Sequence, residues 1–148
     1  MAADFKLKRG ALTSLLTTEL NALANNAGSA LSAAYANETN LEMWAEFELV
    51  VDFVSAPTAE SLVEIYIVKE VDSATYTDYT SGTTPVANAN DLVGAFILKA
   101  TTAAQRVPST RIDLPFTDFK VGVINKSGQA FPATGSTVKM QTGFGQSV

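Results

Sequence analysis

The sequence predicts an all-β fold, an antiparallel β-sandwich or jelly roll, with a short N-terminal helix or extended arm in front of it. Three observations predict it. Apolar and polar residues alternate with period two in short runs, clusters of turn-forming residues separate those runs, and helical spacing is confined to the first 25 residues. With 148 residues and 47% hydrophobic content, the chain can bury one core without disulfides or metal. The expected organisation is a single domain, with 1–25 as arm and helix and 26–148 as the sandwich.

Residues 2–10, AADFKLKRG, alternate Phe5 and Leu7 with Lys6 and Lys8, which suits an extended arm that pairs with a sheet edge or a neighbour. From 11 to 24, Leu12, Leu15, Leu16, Leu20 and Leu23 fall at spacings of three and four, and Asn25, Asn26 and Gly28 follow as a stop signal. This predicts a short amphipathic helix; the alternative is two strand-like pieces split at Thr17 and Thr18. Residues 26–40 are small and polar and read as a loop.

The stretch 40–54, NLEMWAEFELVVDFV, alternates most clearly. Leu41, Met43, Ala45, Phe47, Leu49, Val51 and Phe53 are expected to face the core, and Glu42, Glu46, Glu48 and Asp52 the solvent, with Trp44 on the solvent side. After a turn at Ala56, Pro57 and Thr58, SLVEIYIVK (61–69) reads as a strand buried on both faces and as the antiparallel partner of the one before it. Residues 70–91, rich in Thr, Ser, Asp and Asn, read as a long exposed connection. Strands are expected at 92–100, 111–116, 119–125 and 137–144, with loops at 101–110 and 126–136.

Composition restricts the function. A net charge of -5 and a pI near 4.6 argue against a surface for nucleic-acid phosphates or anionic lipid, so partners are expected to be protein or sugar. With Cys 0 and His 0, the chain has no thiolate nucleophile, no cysteine or histidine zinc ligand and no imidazole base. No cofactor or metal is expected. There is no 18-residue apolar run and no secretory signal pattern, so a soluble protein without a membrane partner is expected. Nothing resembles a P-loop, a dinucleotide fingerprint or a nucleophile elbow.

Glu46 and Glu48, at i and i+2 on a strand, lie roughly 6 to 7 Å apart, within range of a glycosidase carboxylate pair. A solvated acidic face explains them more simply. Trp44, the only tryptophan, is either a contact residue or a lid over the sheet beneath the N-terminal segment. Tyr76 and Tyr79 stand in the long connection beside Asp72 and Asp78, but the acids lack the spacing of a calcium loop. The arm carries Lys6, Lys8 and Arg9. The candidate protein-interface residues are Phe5, Leu7, Arg9, Trp44, Tyr76 and Tyr79.

Three stretches carry a resemblance: LLTTELNALANNAGSA leading into LEMWAEFELVV, then SLVEIYIVKEVDSATY, then FKVGVINKSGQAFPATGSTVKM. Together they cover most of the chain, which resembles small virion proteins of tailed bacteriophages, the capsid decoration (cement) and minor capsid proteins. Related chains often place a Gly after the Asp of the middle hairpin; here Ser73 and Ala74 follow Asp72. The resemblance implies a non-enzymatic β-sandwich subunit, made in the host cytoplasm, that binds the major capsid protein on the head exterior. It also implies a small homo-oligomer, such as a trimer, that reinforces the lattice. The alternatives are a carbohydrate-binding or receptor-binding module, stacking sugars on Trp44, Tyr76 and Tyr79, and a tail-tube or head-tail connector component.

Overall fold

The computed structural model describes residues 5–147, with side chains described from Lys6 to Gly145. Its strands are β1 (Phe5–Leu16), β2 (Trp44–Val51), β3 (Leu62–Asp72), β4 (Thr75–Tyr76), β5 (Tyr79–Thr80), β6 (Val86–Ala87), β7 (Leu92–Ile97), β8 (Gln105–Pro108), β9 (Ile112–Asp113), β10 (Phe119–Lys126) and β11 (Thr137–Ser147). One antiparallel sheet has the order β1-β11-β2-β8, with β9 also on β2; the other has β10-β3-β4, with β7 also on β3. β5 and β6 form a small separate pair.

The period-two pattern explains why the two sheets face each other. Phe47, Leu49 and Val51 of β2 and Val138 and Met140 of β11 share one buried cluster with Val63, Ile65 and Ile67 of β3 and Phe119, Val121 and Val123 of β10. Each such side chain, fully buried, stabilises the fold by about 1.5–3 kcal/mol. The all-β, antiparallel, sandwich-like architecture is therefore the expected one. β3 is buried on both faces from Ile65 to Val68, also as expected.

The N-terminal helix is a correction. The segment through Leu16 is strand, followed by a 3-10 turn at Thr18–Leu20. Two register shifts, between Arg9 and Leu12 and between Ser14 and Leu16, insert extra residues into the ladder with β11. Those bulges put the leucines off strict alternation, and the resulting spacing imitates a helix. Gly10 and the β-branched Thr13 and Thr17 also disfavour a helix there.

A second correction concerns pairing. β2 pairs with β11, β8 and β9, while β3 belongs to the opposite sheet. The chain crosses between sheets after β2, tied by the Thr58 amide to the Ser127 carbonyl and turning at Glu60 with φ 60. The strand β8 also falls inside the expected 101–110 loop.

Alternation holds from Ala45 onward and fails before it. Leu41 and Met43 are exposed, while Glu42 is buried. The cause is a one-turn helix, Asn37–Asn40, that ends with Leu41 in the left-handed region, so residues 41–43 are not yet strand. Asn37, fully buried, fixes this corner: its side-chain amide accepts from the Glu42 amide and donates to the carbonyls of Glu42 and Pro115.

Residues 26–35 follow the free side of β10 in three-residue steps. The amides of Asn26, Ser29, Ser32 and Tyr35 donate to the carbonyls of Asn125, Val123, Val121 and Phe119. The hydroxyls of Ser29 and Ser32 accept from the Val123 and Val121 amides, standing in for the carbonyls a regular strand would supply. Further along, the β3–β4 hairpin turns through Ser73 and Ala74 with φ 33 and 69. The hairpin thus closes without a glycine, at a conformational cost of about 1–2 kcal/mol per left-handed residue.

Candidate functional site

β1 and β11 outrun the rest of their sheet. The last residue of β11 opposite β2 is Gly143, which faces Trp44. Beyond it, Phe5 to Arg9 pair only with Gly143 to Ser147, as a two-stranded ribbon. Lys6, Leu7, Lys8 and Arg9 are all exposed. A two-stranded ribbon is marginally stable alone in water, and a long edge strand presents unpaired backbone groups to any chain that meets it.

The two faces of the ribbon differ. Leu7 and Arg9 stand opposite Gly145 and Gly143, so their face is low, and Leu7 is 63% exposed. Lys8 stands opposite Phe144, with its ammonium 5.9 Å from the ring centre, and Lys6 shares that face. Phe5 pairs with Ser147 through the backbone, and its side chain lies outside the described residues. The expected arm is thus a paired arm; its partner is the strand expected at 137–144, which runs on to Ser147 past the expected end.

Trp44 is on the expected face but is not exposed: 7% of its surface is accessible. Its indole lies across Gly143, and the Arg111 guanidinium covers it at 4.7 Å from the ring centre. Gly143 gives it a bed with no side chain, so the solvent side of the sheet becomes a pocket for one ring. The expected exposure of Trp44 is therefore corrected: the ring is covered, by Arg111 rather than by the N-terminal segment.

The acids next to it are neutralised. Glu46 pairs with Arg9 at 2.9 Å and Glu48 with Arg106 at 3.1 Å, both at the surface. A glycosidase pair needs one carboxyl held neutral and both aimed at a bound sugar. Each of these two carboxylates is instead turned to its own arginine. Exposed pairs of this kind contribute about 0–1 kcal/mol each.

Tyr79 and Tyr76 diverge from the expected exposed pair. Tyr79 folds inward, and its hydroxyl donates to the carbonyls of Ser29 and Val123, at 3.2 and 3.1 Å. It sits over Gly122, where a Cβ would come within 2.7 Å of its ring. Burial pushes its hydroxyl pKa up, opposed by the bond to Ser29. With the reciprocal backbone bonds between Gly28 and Gly82, it ties the long connection to the 26–35 segment. Tyr76 stays half-exposed beneath Lys120, whose ammonium is 4.3 Å from the ring centre.

The structure does not bring the six candidate residues into one site. Phe5, Leu7 and Arg9 belong to the ribbon, Trp44 is at its root, Tyr76 is on β4 of the other sheet, and Tyr79 is on the separate β5–β6 pair. What the sequence did not single out is a cleft of about 350 Å³ lined by Glu38, Glu70, Val71, Asp72 and Phe116. Phe116 is 72% exposed there. Its parts come from the one-turn helix, the end of β3 and the loop carrying Phe116, far apart in the chain, so no local motif marks it. Among the described residues, no cluster of acids has a metal-holding arrangement, and no helix is long and apolar enough to cross a membrane. No protein-family model matches this chain, and no curated protein does so either.

Proposed function

We propose that the chain is a non-enzymatic structural protein of a tailed-phage virion, a decoration or cement subunit that binds the major capsid protein on the head exterior. We read its two sheets as a jelly roll, the finer architecture that this role implies. The observation that carries the proposal is the ribbon: a basic, two-stranded projection on an acidic sandwich, built where pairing with another chain would stabilise it. The resemblance in the three quoted stretches points the same way. Attachment as a small oligomer, repeated over a lattice, turns modest contacts into firm binding.

The carbohydrate-binding alternative loses support, since Trp44 is covered by Arg111 and Tyr79 is tethered. The acids that would serve a hydrolase are ion-paired.

Deleting residues 2–9 tests the proposal. Binding of the purified protein to emptied heads, measured by cosedimentation, should weaken on the order of tenfold. The thermal midpoint of the isolated protein should fall by less than about 3 °C, because Lys6 to Arg9 are exposed and none belongs to the buried apolar cluster. Unchanged binding to heads would remove the ribbon from the docking role.

A further inference from the structure

The basic ribbon has an acidic complement on the same molecule. We infer that the Lys6/Lys8 face of one copy docks in the Glu38/Glu70/Asp72 cleft of a second copy, head to tail. The inference rests on the reading of the ribbon as a docking element and names its immediate partner.

Charge complementarity is the first argument. Lys6 and Lys8 share one face of the ribbon, are both exposed, and among the described residues neither is in an ion pair. The cleft presents three carboxylates, and among the described residues none of them is in an ion pair. The neighbouring cations are engaged elsewhere: Lys69 with the buried Asp91 at 3.7 Å, and Lys120 over Tyr76. The Tyr76 hydroxyl is pushed up by burial and then by Glu70 and Asp118, which marks the sign of the field at this end.

Spacing and apolar surface are the second. Lys6 and Lys8 are two residues apart on a regular stretch of β1, roughly 7 Å, and a bulge between Glu70 and Asp72 at the end of β3 leaves Glu70, Val71 and Asp72 all lining the cleft. Beside the charges, the ribbon offers Phe144, opposite Lys8, and the cleft offers Val71 and Phe116, both largely exposed. Salt bridges at a partly apolar contact are better shielded than at an open surface, so charge and burial reinforce each other here.

Position is the third. The ribbon leaves the sheet at Gly143 opposite Trp44. The cleft wall is anchored at the same end, through the Leu114 amide to the Met43 carbonyl, Asn37 to the Pro115 carbonyl, and the Glu38 amide to Asp118. A contact between two different patches is heterologous, and it closes into a ring when the rotation permits. Donor and acceptor at one end of each subunit suit a ring formed around that end.

Sedimentation velocity on the purified protein, without heads, tests this. Wild type should form a species larger than the 15.6 kDa monomer at low salt and dissociate as salt rises. Lys6→Glu with Lys8→Glu should leave only monomer, and Glu38→Lys with Asp72→Lys should do the same. Mixing the two variants should restore an assembly, which also shows that both are folded. A monomeric wild type, or an assembly indifferent to either reversal, overturns the inference. A monomer that still binds heads overturns it while leaving the virion role in place; an assembly that ignores heads does the reverse.

Discussion

Gly143→Ala should destabilise the protein by about 3 kcal/mol and shift the emission of Trp44, its only tryptophan, to longer wavelength. The ladder places Gly143 directly opposite Trp44, and the indole occupies the space where a Cβ would project. That Cβ would overlap ring atoms Cζ2 and Cε2 and lie 2.7 Å from Nε1. A ring cannot yield as a flexible chain end does, so it must leave its bed. Leaving exposes the indole and separates it from Arg111. Chemical denaturation and fluorescence on the same sample check both parts. Unchanged emission with an unchanged midpoint would mean that Trp44 does not lie on Gly143.

Asn125→Ala should cost about 3 kcal/mol, seen as a fall of about 10 °C in the thermal midpoint. Asn125 is completely buried on β10. Its side-chain NH₂ donates to the carbonyls of Leu23, Ala24 and Gln129, at 3.0, 3.2 and 2.7 Å, and its oxygen accepts from the Ser127 amide at 3.0 Å. One side chain thereby joins the loop before the 26–35 segment to the hairpin after β10. Alanine leaves these backbone groups without their partner in a place where water does not readily replace it. The individual penalties do not add fully, because the loops can relax. A loss below about 1 kcal/mol would show that the loops hold each other without it.

These two positions also show which parts of the molecule were legible in its sequence. β2 and β10 were, because their faces differ in polarity and strict alternation follows from the pleat. β1 was not, because two bulges displace its leucines from alternation and leave spacings of three and four. The 26–35 segment read as a loop because its hydrogen bonds repeat every third residue, with Ser29 and Ser32 substituting hydroxyls for carbonyls. No propensity scale contains that arrangement.

The candidate site divides similarly. The charged arm was visible as a local pattern in FKLKRG, and its residues do lie on a projecting element. The face of Trp44 was also legible. Its burial was not, since that depends on Gly143 and Arg111, which the fold supplies from distant strands and loops. The same holds for the acidic cleft, whose carboxylates come from the one-turn helix and the end of β3. Alternation tells which way a side chain points but not what covers it.

Cryo-electron microscopy of particles purified from the phage that encodes this chain tests the central claim most directly. The account predicts density for the two-sheet sandwich on the outside of the head, at repeated lattice positions. The Trp44 end of each copy should lie against a neighbouring subunit. Copies confined to the tail or the head-tail connector, or particles that lack the chain altogether, would contradict it.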